Sequence, residues 1–152
     1  MKKLLELLLS KGYSLGSVES MTAGLFASTF AETPGASKVY KGSLVTYAVE
    51  EKVHLLGLEE NLINYFGVVS KEVAGEMASK GQKVLGVDVC VSITGNAGPT
   101  SEPGGMPVGR AYVGIAVKDK NYVYELNLKG NRNKIRRQAV LATQEKLIEL
   151  LK

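Results

Sequence analysis

The sequence predicts an α/β protein: a three-layer α/β/α sandwich around a mixed, mostly parallel sheet. Three observations carry this. Short strand-like runs alternate with helical patterns over the first part of the chain, the order expected of parallel strands joined by helical crossovers. Val87–Thr94 is apolar almost without interruption, as suits a central strand buried on both faces. Two further apolar runs, Val108–Val117 and Tyr122–Leu128, flank the polar stretch Lys118–Asn121 and read as a hairpin, which adds antiparallel strands to the parallel set. At 152 residues the chain is long enough for one domain with a substantial core, taken as residues 1–152.

The elements follow in order. Leu4, Leu5, Leu7, Leu8 and Leu9 give an amphipathic helix that stops near Lys11-Gly12. Glu6 interrupts this run and no small-residue cleavage site follows, so it is not read as a signal peptide. Ser14–Val18 is a short strand, followed by the small polar turn Glu19–Gly24 and a buried helix over Leu25–Ala31. Thr33–Ser37 is a turn, and Val39–Tyr47 a strand with Gly42 as a bulge. Two short helical pieces come next, Glu50–Gly57 and Leu58–Phe66, the first closed by Gly57. Ser70 caps a helix that runs to about Leu85 with Val73, Met77 and Val84 inward. After the hairpin, Asn131 caps a last helix whose apolar side is Ile135, Ala139, Leu141, Ala142, Leu147, Ile148 and Leu151.

Composition excludes several function classes. Hydrophobic residues at 45% and charged residues at 22% are ordinary for a water-soluble chain, and no run approaches the ~18 apolar residues of a membrane span. The net charge of +4 is a mild surplus with no basic tail, so neither nucleic acid nor a membrane is an expected partner. The lone cysteine, Cys90, reads as a small buried hydrophobe, which fits a reducing cytoplasm. With His54 the only histidine, a multi-histidine metal site is impossible, and the acidic residues show no ligand spacing, so no metal or cofactor is expected.

In open α/β sheets ligands lie beyond the carboxyl ends of the strands. Three such ends here carry Ser20 and Thr22, then Tyr47, then Thr94 and Gly95, the last two opening a loop dense in glycine and proline up to Gly109. The phosphate-loop, dinucleotide and nucleophile-elbow patterns are all missing. What remains is a hydroxyl nucleophile with a base other than histidine. Lys52, just beyond a strand end, is the lysine best placed for that, if burial lowers its pKa. The alternatives are a solvated helix lysine at that position, and simple helix-capping by Ser20 or Thr22.

Glu19-Ser20-Met21-Thr22-Ala23-Gly24 resembles an E-S-C-T-G-G motif. Pro34–Ser37, Thr46-Tyr47 with Glu50 and Lys52, Gly67–Ser70, Thr94–Pro99, Pro107–Gly109, Gly130-Asn131-Arg132 and Ile135-Arg136 follow in matching order. As an ordered set they resemble the CinA C-terminal-domain family, whose enzymatic members are nicotinamide mononucleotide deamidases. The resemblance covers nearly the whole chain. It implies an α/β/α domain that hydrolyses the carboxamide of a small-molecule nucleotide to an acid and ammonia, in pyridine nucleotide salvage. Separately, the mixed strands and the long C-terminal helix make a homodimer the expected assembly. The resemblance further implies Ser20 as nucleophile, Lys52 as base and Tyr47 as a positioning or relay group, with Ser37, Thr22, Thr94 and Gly95 completing the polar site. The helix start after Ser20 and the glycine loop would supply N–H donors, and Arg132 and Arg136 would hold the phosphate.

The chain departs from the pattern at Met21, Ala23, Ala48, Val49, Asn96 and Met106. Ala23 is the most serious departure, because it replaces a glycine, and alanine would distort the turn if the position needs positive φ or a close backbone approach. A pyridine-nucleotide-binding regulatory module without catalysis is therefore the competing reading.

Overall fold

The computed structural model describes residues 1–152 and sets a five-stranded sheet between two helical layers. The elements are α1 (Lys2–Lys11), β1 (Leu15–Glu19), α2 (Leu25–Ala31), β2 (Tyr40–Val45), α3 (Val49–His54), α4 (Glu60–Phe66), α5 (Lys71–Leu85), β3 (Val89–Gly95), β4 (Arg110–Val117), β5 (Lys120–Asn127) and α6 (Arg132–Leu151). The strand order is β2-β1-β3-β4-β5. β1 pairs in parallel with both β2 and β3, and the hairpin adds two antiparallel pairs, so only β4 runs against the others. The α/β fold with a mixed sheet is as the sequence predicts.

Local chemistry sets the element ends. Gly12 closes α1 at φ 65, and its N–H and that of Tyr13 return to the last helical carbonyls. Ser70 caps α5 by accepting the Val73 N–H at 3.2 Å, and Asn131 caps α6 by accepting that of Lys134 at 3.0 Å. The β2 bulge falls at Lys41, beside Gly42, where the β1–β2 register skips a residue. The hairpin turn is shorter than the sequence suggests: only Lys118 and Asp119 lie between β4 and β5, and Lys120 and Asn121 already pair with Val117 and Ala116.

Each face of the sheet carries its own apolar core. On one side α1, α2 and α6 pack Leu4, Leu8, Phe26, Phe30, Ile135 and Leu147 against β1, β3 and β4. On the other, α5 brings Val73 and Met77 onto Val18 and Cys90, with Leu56, Leu58 and Ile63 from the α3–α4 region. α5 lies very close to the sheet because two glycines permit it. A Cβ at Gly81 would come within 2.2 Å of Val18, and one at Gly114 within 2.3 Å of the Ala74 carbonyl oxygen. Ser92 fixes that approach by donating to Ala74 O at 2.6 Å while accepting the Gly114 N–H at 3.2 Å. Three residues expected inside are outside: Val84 and Leu141 are each 54% exposed and Leu9 44%. Leu85 takes the inward place in the last turn of α5, and Val140 with Thr143 does so in α6.

Candidate active site

β1, β2 and β3 all end at one edge of the sheet, and their following loops meet there with the first turn of α6. Ser20 is held directly after β1 by its N–H, which donates to Ile93 O of β3 at 2.9 Å. The next residues turn tightly: Ala23 N–H donates back to Ser20 O at 3.1 Å, Ala23 sits at φ 47 and Gly24 at φ 98. Alanine thus occupies a left-handed position where glycine is the unstrained residue, and the turn forms regardless.

Lys52 comes from α3, behind this turn. Its side chain is fully buried and forms no ion pair. Nζ lies 2.9 Å from Ser20 Oγ, 2.6 Å from Thr46 O and 3.4 Å from Tyr47 O. Burial disfavours the charged form and brings the amine down to about 8. Nζ donates to Ser20 Oγ and to the two carbonyls, three acceptors that an ammonium satisfies. On losing a proton the amine can keep the two carbonyls and turn its lone pair to Ser20 Oγ, which has no other partner within the protein.

The cleft above Ser20 has a volume of about 240 Å³ and is walled by Tyr47, Thr94, Gly95, Asn96 and Arg132, with apolar surface from Met21, Val49, Val68, Val69 and Ala97. Arg132 stands at its rim, donating to the Gly98 carbonyl and to Tyr47 Oη, the latter at 3.0 Å. A larger depression of about 630 Å³ continues under the glycine loop, sharing Val68, Val69, Gly95 and Asn96 with the cleft.

A family model described as the CinA C-terminal domain matches residues 1–151. The chain belongs to the CinA C-terminal-domain family. A Lysinibacillus sphaericus protein named for competence-damage inducibility is 43% identical over 150 residues, 98% of this chain and 36% of that one. A CinA-like protein of Petrotoga mobilis is 36% identical over 149 residues, 98% of this chain and 37% of that one. The chain therefore spans about a third of the length of these curated relatives. Among solved structures, a CinA superfamily protein of Escherichia coli superposes with a TM-score of 0.94 at 27% identity, covering 97% of this chain and 86% of that one. The competence/damage inducible protein CihA of Agrobacterium tumefaciens does so with 0.91 at 28%, covering 99% and 96%.

The structure brings Ser20, Lys52, Tyr47, Thr94, Gly95 and Arg132 together at this cleft. The remaining expected site residues are placed differently. Thr22 is fully buried, and its hydroxyl donates to Glu19 Oε1 at 2.7 Å rather than into the cleft. Ser37 is exposed in the 3-10 turn Ala36–Lys38 and borders a separate depression with Thr33 and Tyr40. Arg136 is engaged with the Ser20 turn: Nε donates to Met21 O at 3.0 Å and Nη2 to Thr22 O at 2.9 Å. The Thr94 hydroxyl donates to Val68 O at 3.1 Å, pinning the wall opposite Ser20.

The expected N–H donors also differ. The first turn of α2 is capped by Glu19, whose buried carboxylate accepts Phe26 N–H at 2.8 Å and Ala27 N–H at 3.1 Å as well as the hydroxyls of Thr22 and Ser43. These helix donors are therefore occupied. The N–H groups of Met21 and Thr22, directly after Ser20, have no acceptor within the protein. In the glycine loop, Asn96 accepts Gly98 N–H and donates to the carbonyls of Met106 and Thr100, so its side chain ties the loop together instead of entering the cleft. Sequence reasoning overlooked Glu19, which acts as a cap from the preceding strand rather than from the usual cap position. His54, on the same helix as Lys52, projects into solvent beside Glu51, so no Ser-His-Asp arrangement forms. Cys90 is buried, with its thiol pushed up to about 12 by desolvation, and stays protonated.

Proposed function

We propose that this domain is an amidohydrolase that converts nicotinamide mononucleotide to nicotinic acid mononucleotide and ammonia. The observation that carries the reading is the 2.9 Å contact between Ser20 Oγ and the buried amine of Lys52, in a position where that amine is neutral over an accessible pH range. The apolar walls given by Met21, Val49, Val68 and Val69 suit a flat pyridine ring, and Arg132 at the rim suits a phosphate.

Ser20 Oγ attacks the carboxamide carbon as its proton passes to Lys52 Nζ. The carbonyl oxygen, now negative, is stabilised by N–H donors from the turn after Ser20, a contribution of about 3 kcal/mol for one preorganised donor. Lys52 returns the proton to the amide nitrogen, the C–N bond breaks and ammonia leaves. Water then attacks the acyl-serine ester, with Lys52 again taking the proton; Lys52 passes it to Ser20 Oγ as the ester C–O bond breaks, and the acid is released. Thr46 O and Tyr47 O keep the lysine oriented through both steps.

Ammonia release from nicotinamide mononucleotide tests this reading. The wild type is expected to turn over and Ser20→Ala to lose about a thousandfold or more of kcat, as removal of a covalent nucleophile does. No release by the wild type, or an unimpaired variant, would remove the serine mechanism. Calorimetry then separates the competing module, which would bind the nucleotide without turnover.

A further inference from the structure

Arg136 does not line the cleft, and all three of its guanidinium nitrogens are engaged: Nε with Met21 O, Nη2 with Thr22 O, and Nη1 with Asn133 Oδ1 at 3.3 Å. This leaves it poorly disposed to hold a phosphate. Its two backbone partners are the peptide groups that follow the nucleophile. Because a trans peptide is planar, holding a carbonyl fixes the N–H on its other side. Holding Met21 O orients the Thr22 N–H. Holding Thr22 O orients the Ala23 N–H, which donates to Ser20 O and so orients the Met21 N–H in turn. Three consecutive peptide planes are set from one side chain on α6.

The second observation concerns the two N–H groups so oriented. Met21 is 5% exposed and Thr22 fully buried, yet neither N–H has an acceptor in the protein. Buried N–H groups are almost always paired. Two adjacent unpaired ones, directly after a serine that contacts a buried amine, are suited to receive a negative oxygen formed at that serine. We propose that Arg136 is a positioning residue, which holds the Met21 and Thr22 N–H groups as the oxyanion donors for an acyl group attacked by Ser20. The proposal rests on the amidohydrolase reading for its substrate, though not for its geometry.

The test has two arms on the full chain. In the first, ammonia release from nicotinamide mononucleotide and from nicotinamide riboside, which lacks the phosphate, is compared for wild type and Arg136→Ala. The expected result is a loss of about a hundredfold in kcat on both substrates with KM little moved, in line with the removal of oriented oxyanion donors. A loss confined to the phosphorylated substrate and expressed in KM would make Arg136 a phosphate ligand and overturn the proposal. In the second arm, pyridine-3-boronic acid serves as a probe that forms a tetrahedral, negatively charged adduct on a serine oxygen, followed by boron NMR. The wild type is expected to form it and Arg136→Ala to bind it about a hundredfold more weakly. Equal adduct in both, or none in the wild type, overturns the proposal. If the wild type turns over neither amide, the amidohydrolase reading fails and the boronate arm alone decides on Arg136. Should Arg136→Ala not fold, Arg136→Lys, which keeps the charge but can reach only one of the two carbonyls, is judged by the same outcomes and is expected to fall between wild type and the alanine variant.

Discussion

Lys52 is buried without a counter-charge, held between Thr46 O and Ser20 Oγ. Its position just past a strand end marked it, but the same spacing fits a solvated helix lysine beside Glu51. Spacing along a six-residue helix does not say which side faces the sheet, and α3 decides this by turning Lys52 under Thr46. Glu19 was not legible at all, since its cap reaches α2 through the fold of the intervening turn. Ala23 raised the opposite problem. The sequence showed a replaced glycine, a difficulty only if the position required positive φ or close approach, and the structure shows alanine accepting φ 47 there. A left-handed alanine costs about 1 kcal/mol. Ala23→Gly, which ordinarily destabilises a chain through unfolded-state entropy, is therefore expected to leave stability unchanged or raise it by up to ~1 kcal/mol. Denaturant unfolding measures this, and a clear loss of stability would show that the turn does not strain the alanine.

The helices and strands were legible where the apolar pattern and the cap agree, as at Ser70 for α5 and Asn131 for α6. They were less so where two neighbouring apolar residues compete for one inward place. Leu85 rather than Val84, and Val140 rather than Leu141, face the core, and periodicity alone cannot rank such neighbours. The amino ends of β1 and β3 are joined by Asp88, which accepts from Ser14 N and Oγ, each at 2.9 Å, and from Lys118 Nζ at 2.5 Å. The Lys118 ammonium and the Ser14 N–H bring its carboxyl down to about 2. Asp88→Asn is expected to lose about 1 kcal/mol of stability at neutral pH, since one charge-assisted contact goes and the others weaken. The sign with pH follows from the lowered pKa. The wild-type advantage is full above the ordinary carboxylate range and fades as pH falls through about 2, where the folded carboxyl also protonates. Urea unfolding of both proteins across acid pH checks this. Ammonia release is expected to be unaffected, because Asp88 lies at the sheet end opposite Ser20.

At the scale of the whole molecule, the informative feature was the convergence of three strand ends, a topological fact that the order of predicted elements already contained. The sequence did not contain the way α6 closes that convergence. One turn of a helix from the far end of the chain places Arg132 on Tyr47 and the glycine loop and Arg136 on the Ser20 turn, so the loops after β1, β2 and β3 are bound by a single element. Contacts of such long range have no local signature in composition or periodicity. The Ser20–Lys52 pair exists only when β1 and α3 are assembled side by side, and its chemistry requires the neutral amine. The most direct measurement of this account is the pH dependence of kcat/KM for ammonia release from nicotinamide mononucleotide. The account predicts a rate that rises with pH and levels off above an apparent pKa near 8, as Lys52 loses its proton and can accept that of Ser20, with Lys52→Met abolishing both activity and the rise. A rate independent of pH from 6 to 10, or a Lys52→Met variant that keeps the wild-type profile, would contradict it.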